Sequence, residues 1–177
     1  MKASTDENDL KGEIVKVPQV RLDDVASLQK DGVFALKVDT QGFEPIVFSG
    51  LSESLKQHRV KFVLFEYWPR GMDLHAGKKD ACVAADLLSE FNRAGYTLYA
   101  LTVSAHPKAP NGYKRVVSER PLDDFAQNCQ WYFDLETRFP SPDYRMGYWS
   151  DILAVAPNAT PDEELFVSKL GDWAKKF

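Results

Sequence analysis

Asp39 and Glu66 each close a short apolar run. Phe34-Ala35-Leu36-Lys37-Val38 leads into Asp39, and Phe62-Val63-Leu64-Phe65 leads into Glu66. Runs of that length between turn residues read as buried strands. In open α/β sheets ligands bind outside the carboxyl ends of the strands, so an acid there is placed to work on a ligand. A carboxylate can orient a hydroxyl or a water, or take its proton. Each acid also has a structural reading. Asp39 stands before the turn Thr40-Gln41-Gly42 and equally suits a turn or helix cap. Glu66 equally suits an ion pair with a basic neighbour. Tyr67 and Trp68 follow Glu66 directly, and aromatics beside a carboxylate can stack a substrate ring or pack on the chain that follows. His75, in the charged stretch Asp73–Lys79, is the side-chain type of a general base near neutral pH, although a lone loop histidine is ordinarily solvated. Asp39, Glu66 and His75 are therefore the candidate catalytic residues, with Tyr67 and Trp68 as candidate substrate contacts. His58 and His106 carry less weight, and Lys78-Lys79 reads as an exposed pair rather than an anion site.

The elements that position these residues can be read from the same stretches. Gly42 gives the turn after Asp39 its backbone freedom. Pro45 fits the first turn of a helix and Glu44 the positive end of its dipole, so Gln41, Gly42 and Glu44 belong to the turn's structure. Phe34–Leu51 thus reads as strand, tight turn, helix, and Leu51 and Leu55 carry the helical pattern through Ser52–His58. Val60–Tyr67 is continuously apolar up to its acid, the pattern of a strand covered on both faces, as in a parallel sheet. Joined by one helical crossover, the two strands should be parallel neighbours with both acids at one edge. Arg70–Lys79 reads as a loop. Asp80 reads as the cap of the clearest helix, where Val83, Leu87, Leu88 and Phe91 fall at three-to-four spacing and Gly95 stops it. Tyr96–Val103 is a third strand, with Tyr96–Leu101 in the sheet core, and the alternation of strand and helix defines an α/β fold. Upstream, Glu13–Leu22 reads as an edge strand pausing at Pro18, and Asp23 or Asp24 as the cap of a short helix through Gln29. Downstream, the pattern gives a loop at His106–Gly112, a short helix at Pro121–Gln127 and an aromatic loop at Trp131–Trp149. A last strand at Ile152–Ala156 and a terminal helix at Asp162–Phe177 follow.

Leu36-Lys37-Val38-Asp39-Thr40-Gln41-Gly42-Phe43-Glu44, with Val47 and Gly50-Leu51, resembles the signature LKIDVEGxExxVLxG of FkbM-type methyltransferases. Val17–Val25 is similar to that family's VxTLDDL segment, and Phe62–Glu66 to its next strand. The resemblance runs from Glu13 to Leu101. Thr40 and Gln41 depart from the usual Val-Glu, putting a neutral amide where the family carries an acid, and Pro45 lies inside the signature. The resemblance implies a Rossmann-like α/β methyltransferase fold with S-adenosylmethionine as cofactor. It also implies O-methylation of a small-molecule or glycan hydroxyl and a cleft position for Asp39. In such folds the cofactor rests mainly on the first strands, through a Gly-rich turn and an acid that holds the ribose. No GxG pair occurs in this chain, and the resemblance opens just before the family's fourth strand. The expected architecture is therefore the second half of a Rossmann-like parallel-sheet methyltransferase fold, with the cofactor-binding half missing. An incomplete chain comes first among the explanations, then a half completed by another chain, then a module reduced to binding. Such a chain alone is expected to bind S-adenosylmethionine weakly or not at all.

A length of 177 residues bounds the chain to one domain with a proper core, read as a loose leader at 1–12 and a single α/β domain at 13–177. The balance of 44% hydrophobic and 27% charged residues is ordinary for a globular protein. The net charge of −4 argues against nonspecific nucleic-acid binding. No run of about 18 apolar residues spans a membrane, and the polar start lacks a signal peptide's apolar core. A cytoplasmic location is expected. Cys82 and Cys129 are too few for a disulfide framework and read as buried free thiols, with no metal-spaced ligands beside them and no metal expected. Asn158-Ala159-Thr160, followed by Pro161, reads as a chance sequon. Two readings lie outside the family. One is a metal-assisted hydrolase holding a hard cation between Asp39 and Glu66, against which no histidine sits near either acid. The other is a noncatalytic interaction module built on Trp131–Trp149.

Overall fold

The structure is a computed structural model. It describes residues 16, 18–78, 81–105, 113–117, 122, 129 and 150–160. The expectations for 1–12, Asp80, His106–Gly112, Trp131–Trp149 and Asp162–Phe177, and for Pro121–Gln127 apart from Leu122, lie outside the described residues. So does the edge strand expected upstream, except for Lys16 and Pro18–Arg21, which are irregular, and Leu22, which opens a 3-10 turn.

Five strands form one sheet in the order β1-β2-β5-β3-β4. They are β1 Val33–Val38, β2 Val60–Tyr67, β3 Thr97–Ala105, β4 Tyr113–Val117 and β5 Ser150–Val155. The helices are α1 Ala26–Asp31, α2 Glu44–Ser49, α3 Ser52–Lys56, α4 Pro69–His75 and α5 Val83–Arg93, with the 3-10 turn at Leu22–Asp24 before them. The α/β alternation stands, and β1 and β2 pair in parallel from Val33 beside Val60 to Val38 beside Phe65.

The sheet is mixed rather than parallel. β5 returns between β2 and β3, antiparallel to both, and β4 pairs antiparallel with β3. Continuous apolarity reports burial on both faces, not strand direction. β5 is buried like a central strand (Ile152 1%, Leu153 1%, Ala154 0% exposed) although it comes last in sequence. β4 follows a Pro/Gly stretch and carries two basic residues in five, too weak an alternation to stand out.

The main core lies where α2 and α5 pack on β2. Phe91 of α5 stacks on Phe65 at 5.1 Å and meets Phe48 of α2 edge-on at 4.9 Å. Ala84, Leu87, Leu88 and Phe91 form the buried stripe of α5 that the spacing predicts. Truncating one of these rings to Ala would cost about 3–5 kcal/mol. A smaller cluster of Phe62, Leu153 and Val155 holds a second group of side chains from β2 and β5. By the same alternation along β2, Glu66 shares the face of Phe62 rather than that of Phe65.

Four local expectations need correction. Arg70–Lys79 is largely the helix α4, which Pro69 opens at its first position and whose Gly71 lies beneath the Trp68 indole, where a Cβ would collide with the ring. The start of α5 is held by Asp73: its buried carboxylate accepts the N–H groups of Ala81 (2.7 Å), Cys82 (2.9 Å) and Val83 (2.8 Å). Asp23 likewise serves a distant helix, accepting Glu53 N (3.0 Å), Ser54 N (2.9 Å) and Ser54 Oγ (2.7 Å) at the start of α3. The thiols are not free. Cys82 and Cys129 form a disulfide with Cα atoms 6.1 Å apart across 47 residues, a proximity that only tertiary folding creates.

Candidate active site

The register of β1 on β2 places Val38 beside Phe65, so the residues that follow, Asp39 and Glu66, leave adjacent parallel strands at one level. Gln41 joins them. Its Nε2 donates to Asp39 Oδ1 at 3.1 Å and to Glu66 Oε1 at 3.3 Å. To reach both, Gln41 holds a left-handed backbone at φ 55, a conformation uncommon outside glycine and concentrated at functional turns. Asp39 is exposed and pairs with Lys37 Nζ at 3.0 Å, a surface contact of small energetic weight.

Glu66 is the reverse case. It is 7% exposed, and its Oε2 has no hydrogen-bond partner among the described residues. Burial first, then the nearby carboxyls of Glu44, Asp39 and Asp151, push its pKa up to about 7, opposed by the Gln41 hydrogen bond. Near neutral pH the group is thus divided between acid and base, the state in which a carboxyl exchanges protons most effectively. Asp151 reaches this corner because β5 runs antiparallel beside β2, pairing Asp151 with Glu66.

Glu44 is fully buried and has a structural task. Its carboxylate accepts Thr40 N (2.7 Å), Thr40 Oγ1 (2.9 Å) and Gly42 N (2.9 Å), so it fastens the turn from inside. Gly42 is required on two counts. Its φ is 97, and a Cβ there would stand 2.7 Å from the Gly71 carbonyl carbon and 2.9 Å from His75 Cδ2. Turn and α4 therefore touch backbone to backbone, and this contact brings His75, the last residue of α4, over Gly42. The His75 ring stacks on Phe43 with centroids 3.8 Å apart and planes 29° from parallel.

Asp39, Gln41, Gly42, Glu44, Glu66 and His75 are thus assembled at one edge of the sheet. Tyr67 and Trp68 stand differently: Tyr67 is fully buried and Trp68 6% exposed, so both rings are covered by the protein. Tyr67 follows the Val63 and Phe65 side of the strand into the main core. The aromatic exposed at this edge is Phe43, at 43%, which is not among the candidates named from the sequence. Asp151 was missed as well. Its only signal was an acid at the head of an apolar run, and its place beside Glu66 depends on strand order. Among the described residues no group of three or more His, Cys, Asp or Glu side chains is placed to hold a metal ion. No helix among them is long and apolar enough to cross a membrane.

A corner lined by acids at the carboxyl ends of two parallel strands, in a sheet packed by helices, is the arrangement of an α/β domain, and in open α/β sheets ligands bind at such strand ends. The Methyltransferase FkbM domain family matches residues 1–98, and the chain belongs to that family. Neither a curated protein nor a solved structure matches it.

Methyltransferase membership implies S-adenosylmethionine, whose polar groups need free backbone N–H donors of a strand–turn–helix unit. The unit described here is already filled. The N–H groups of Thr40 and Gly42 are both taken by Glu44, and α2 is only six residues long. That turn does not fit the cofactor's polar end.

Proposed function

We propose that the protein serves the acceptor side of an O-methyl transfer to a small-molecule or glycan hydroxyl, and that the second half of a Rossmann-like methyltransferase is what this chain represents. The observation that carries the reading is Glu66, a buried carboxyl with an unpartnered oxygen beside Asp39 at the strand ends. In this reading Glu66 takes the proton of the acceptor hydroxyl and Asp39 orients that hydroxyl from the solvent side. Gln41 holds the two carboxyls in place. Tyr67 and Trp68, whose rings are buried, are packing residues in this reading rather than substrate contacts. Contacts to S-adenosylmethionine come from protein outside the described residues.

The test is transfer of labelled methyl from S-adenosylmethionine to a panel of hydroxyl compounds, using the chain joined to the cofactor-binding half of another family member. Methyl ether products are expected, and Glu66→Gln should lower their formation about 100-fold or more. Methylation at nitrogen or sulfur, or an undiminished rate in Glu66→Gln, would overturn the reading.

A further inference from the structure

The geometry points to the stacked pair Phe43–His75 as a platform for the apolar face of a neutral pyranose-type ring, whose hydroxyls are received by Asp39 and Glu66. This rests on the acceptor-site reading of those two acids. Phe43 follows Gln41-Gly42 directly, and its N–H returns to Thr40 O at 3.4 Å, so the ring and Asp39 spring from one tight turn. That turn carries the Gln41 amide that reaches Glu66.

The ring's plane is fixed from one side only. His75 stacks on it with centroids 3.8 Å apart, yet Phe43 remains 43% exposed, so its outer side faces solvent. His75 is itself set in place by the missing side chain at Gly42, 2.9 Å from where a Cβ would stand. Leu74, before His75 in sequence, is also exposed, at 64%. A flat, preset aromatic face next to hydrogen-bond acceptors matches a pyranose, which has an apolar C–H face and a rim of hydroxyl donors. A linear polyol has no such face. An anionic sugar would meet the charges of Asp39 and Asp151, so the ring taken is neutral.

The experiment is a nuclear magnetic resonance titration of the full chain at fixed pH, following the ring protons of Phe43 and His75. The probes are the methyl glycosides of glucose, galactose and mannose, with sorbitol as ringless control and glucuronate as anionic control. At least one methyl glycoside is expected to give saturable shifts that sorbitol and glucuronate do not. Phe43→Ala should weaken that binding about tenfold or more, and Phe43→Leu should do the same while keeping apolar bulk in the fold. No saturable shift from any glycoside, equal shifts from sorbitol, or unchanged affinity in Phe43→Leu would overturn the platform. Loss in Phe43→Leu with unchanged binding in Glu66→Gln would uphold the platform and count against Glu66 as an acceptor contact. The reverse pattern would overturn the platform and leave the acids standing.

Discussion

Glu66 costs the fold stability that an apolar residue or an amide in its place would not. Its folded pKa is about 7 against an ordinary 4.5, so the sign of the pH effect follows directly. Below the lower value both folded and unfolded chains hold the proton, and nothing is lost. As pH rises through the interval the unfolded chain releases its proton first, so stability falls until the folded group also ionises, and is level above that. The loss is about 2–3 kcal/mol. Glu66→Gln should flatten the interval and raise stability at pH 8 by about 1–3 kcal/mol, read by denaturant melts from pH 4 to 8. A variant that melts in parallel with the natural protein across that range would show that Glu66 is not the titrating group. Gln41 holds the neighbouring balance, because its amide is what lets two carboxyls share a corner. Gln41→Glu should lower stability at neutral pH by about 1–2 kcal/mol through added repulsion. Millimolar calcium should restore it, because three carboxylates then offer a hard cation oxygen ligands. A melting temperature indifferent to calcium in that variant would count against the arrangement.

At the scale of elements, two helices start on carboxylates supplied from elsewhere in the chain. Asp73 satisfies the first donors of α5 from α4, and Asp23 does the same for α3. Both bind pieces that local propensity alone would leave loose, since helices this short are marginal in water. Asp73→Ala leaves three half-buried N–H groups without their carboxylate and should cost about 1–3 kcal/mol, with Asp73→Asn keeping part of it, measured by urea unfolding. A loss below about 0.5 kcal/mol would mean that water replaces the carboxylate there. The disulfide ties the same helix start to Cys129. In the chain-entropy account a closed loop of 47 residues is worth about 4 kcal/mol, so reduction should lower the melting temperature clearly. Mass measurement after alkylation, with and without reductant, reports whether the pair is joined in the isolated protein.

For the whole molecule, the decisive quantity is cofactor affinity. The turn after Asp39 offers the cofactor no free N–H at Thr40 or Gly42, both taken by Glu44, and the chain has no paired-glycine turn. Losing a few charge-assisted hydrogen bonds of about 1.5–3 kcal/mol each removes most of a micromolar affinity. Calorimetric titration of the chain with S-adenosylmethionine is expected to give no binding heat. Micromolar binding would mean that residues outside the described set rebuild the site. Binding that appears only once a family cofactor-binding half is supplied would support the half-domain reading.

The sequence by itself determined the strand–turn–helix around Asp39, the second strand ending at Glu66, the parallel relation of the two and the family. These follow from local signals: apolar runs of strand length, Gly and Pro at their turns, and a helical crossover long enough to bring the second strand back parallel to the first. It also placed the buried stripe of α5. Only the tertiary structure decided what those residues meet. Strand order is a contact between segments far apart in sequence, so β5's place between β2 and β3, and with it Asp151 beside Glu66, left no mark in β5's own composition. Helix capping by Asp73 and Asp23 is likewise a long-range hydrogen bond, while capping signals in sequence are read within one turn. The covered rings of Tyr67 and Trp68, and the exposed ring of Phe43 stacked on His75, were fixed by which side of each element faced the core. That side depends on packing partners that a single strand or turn does not contain.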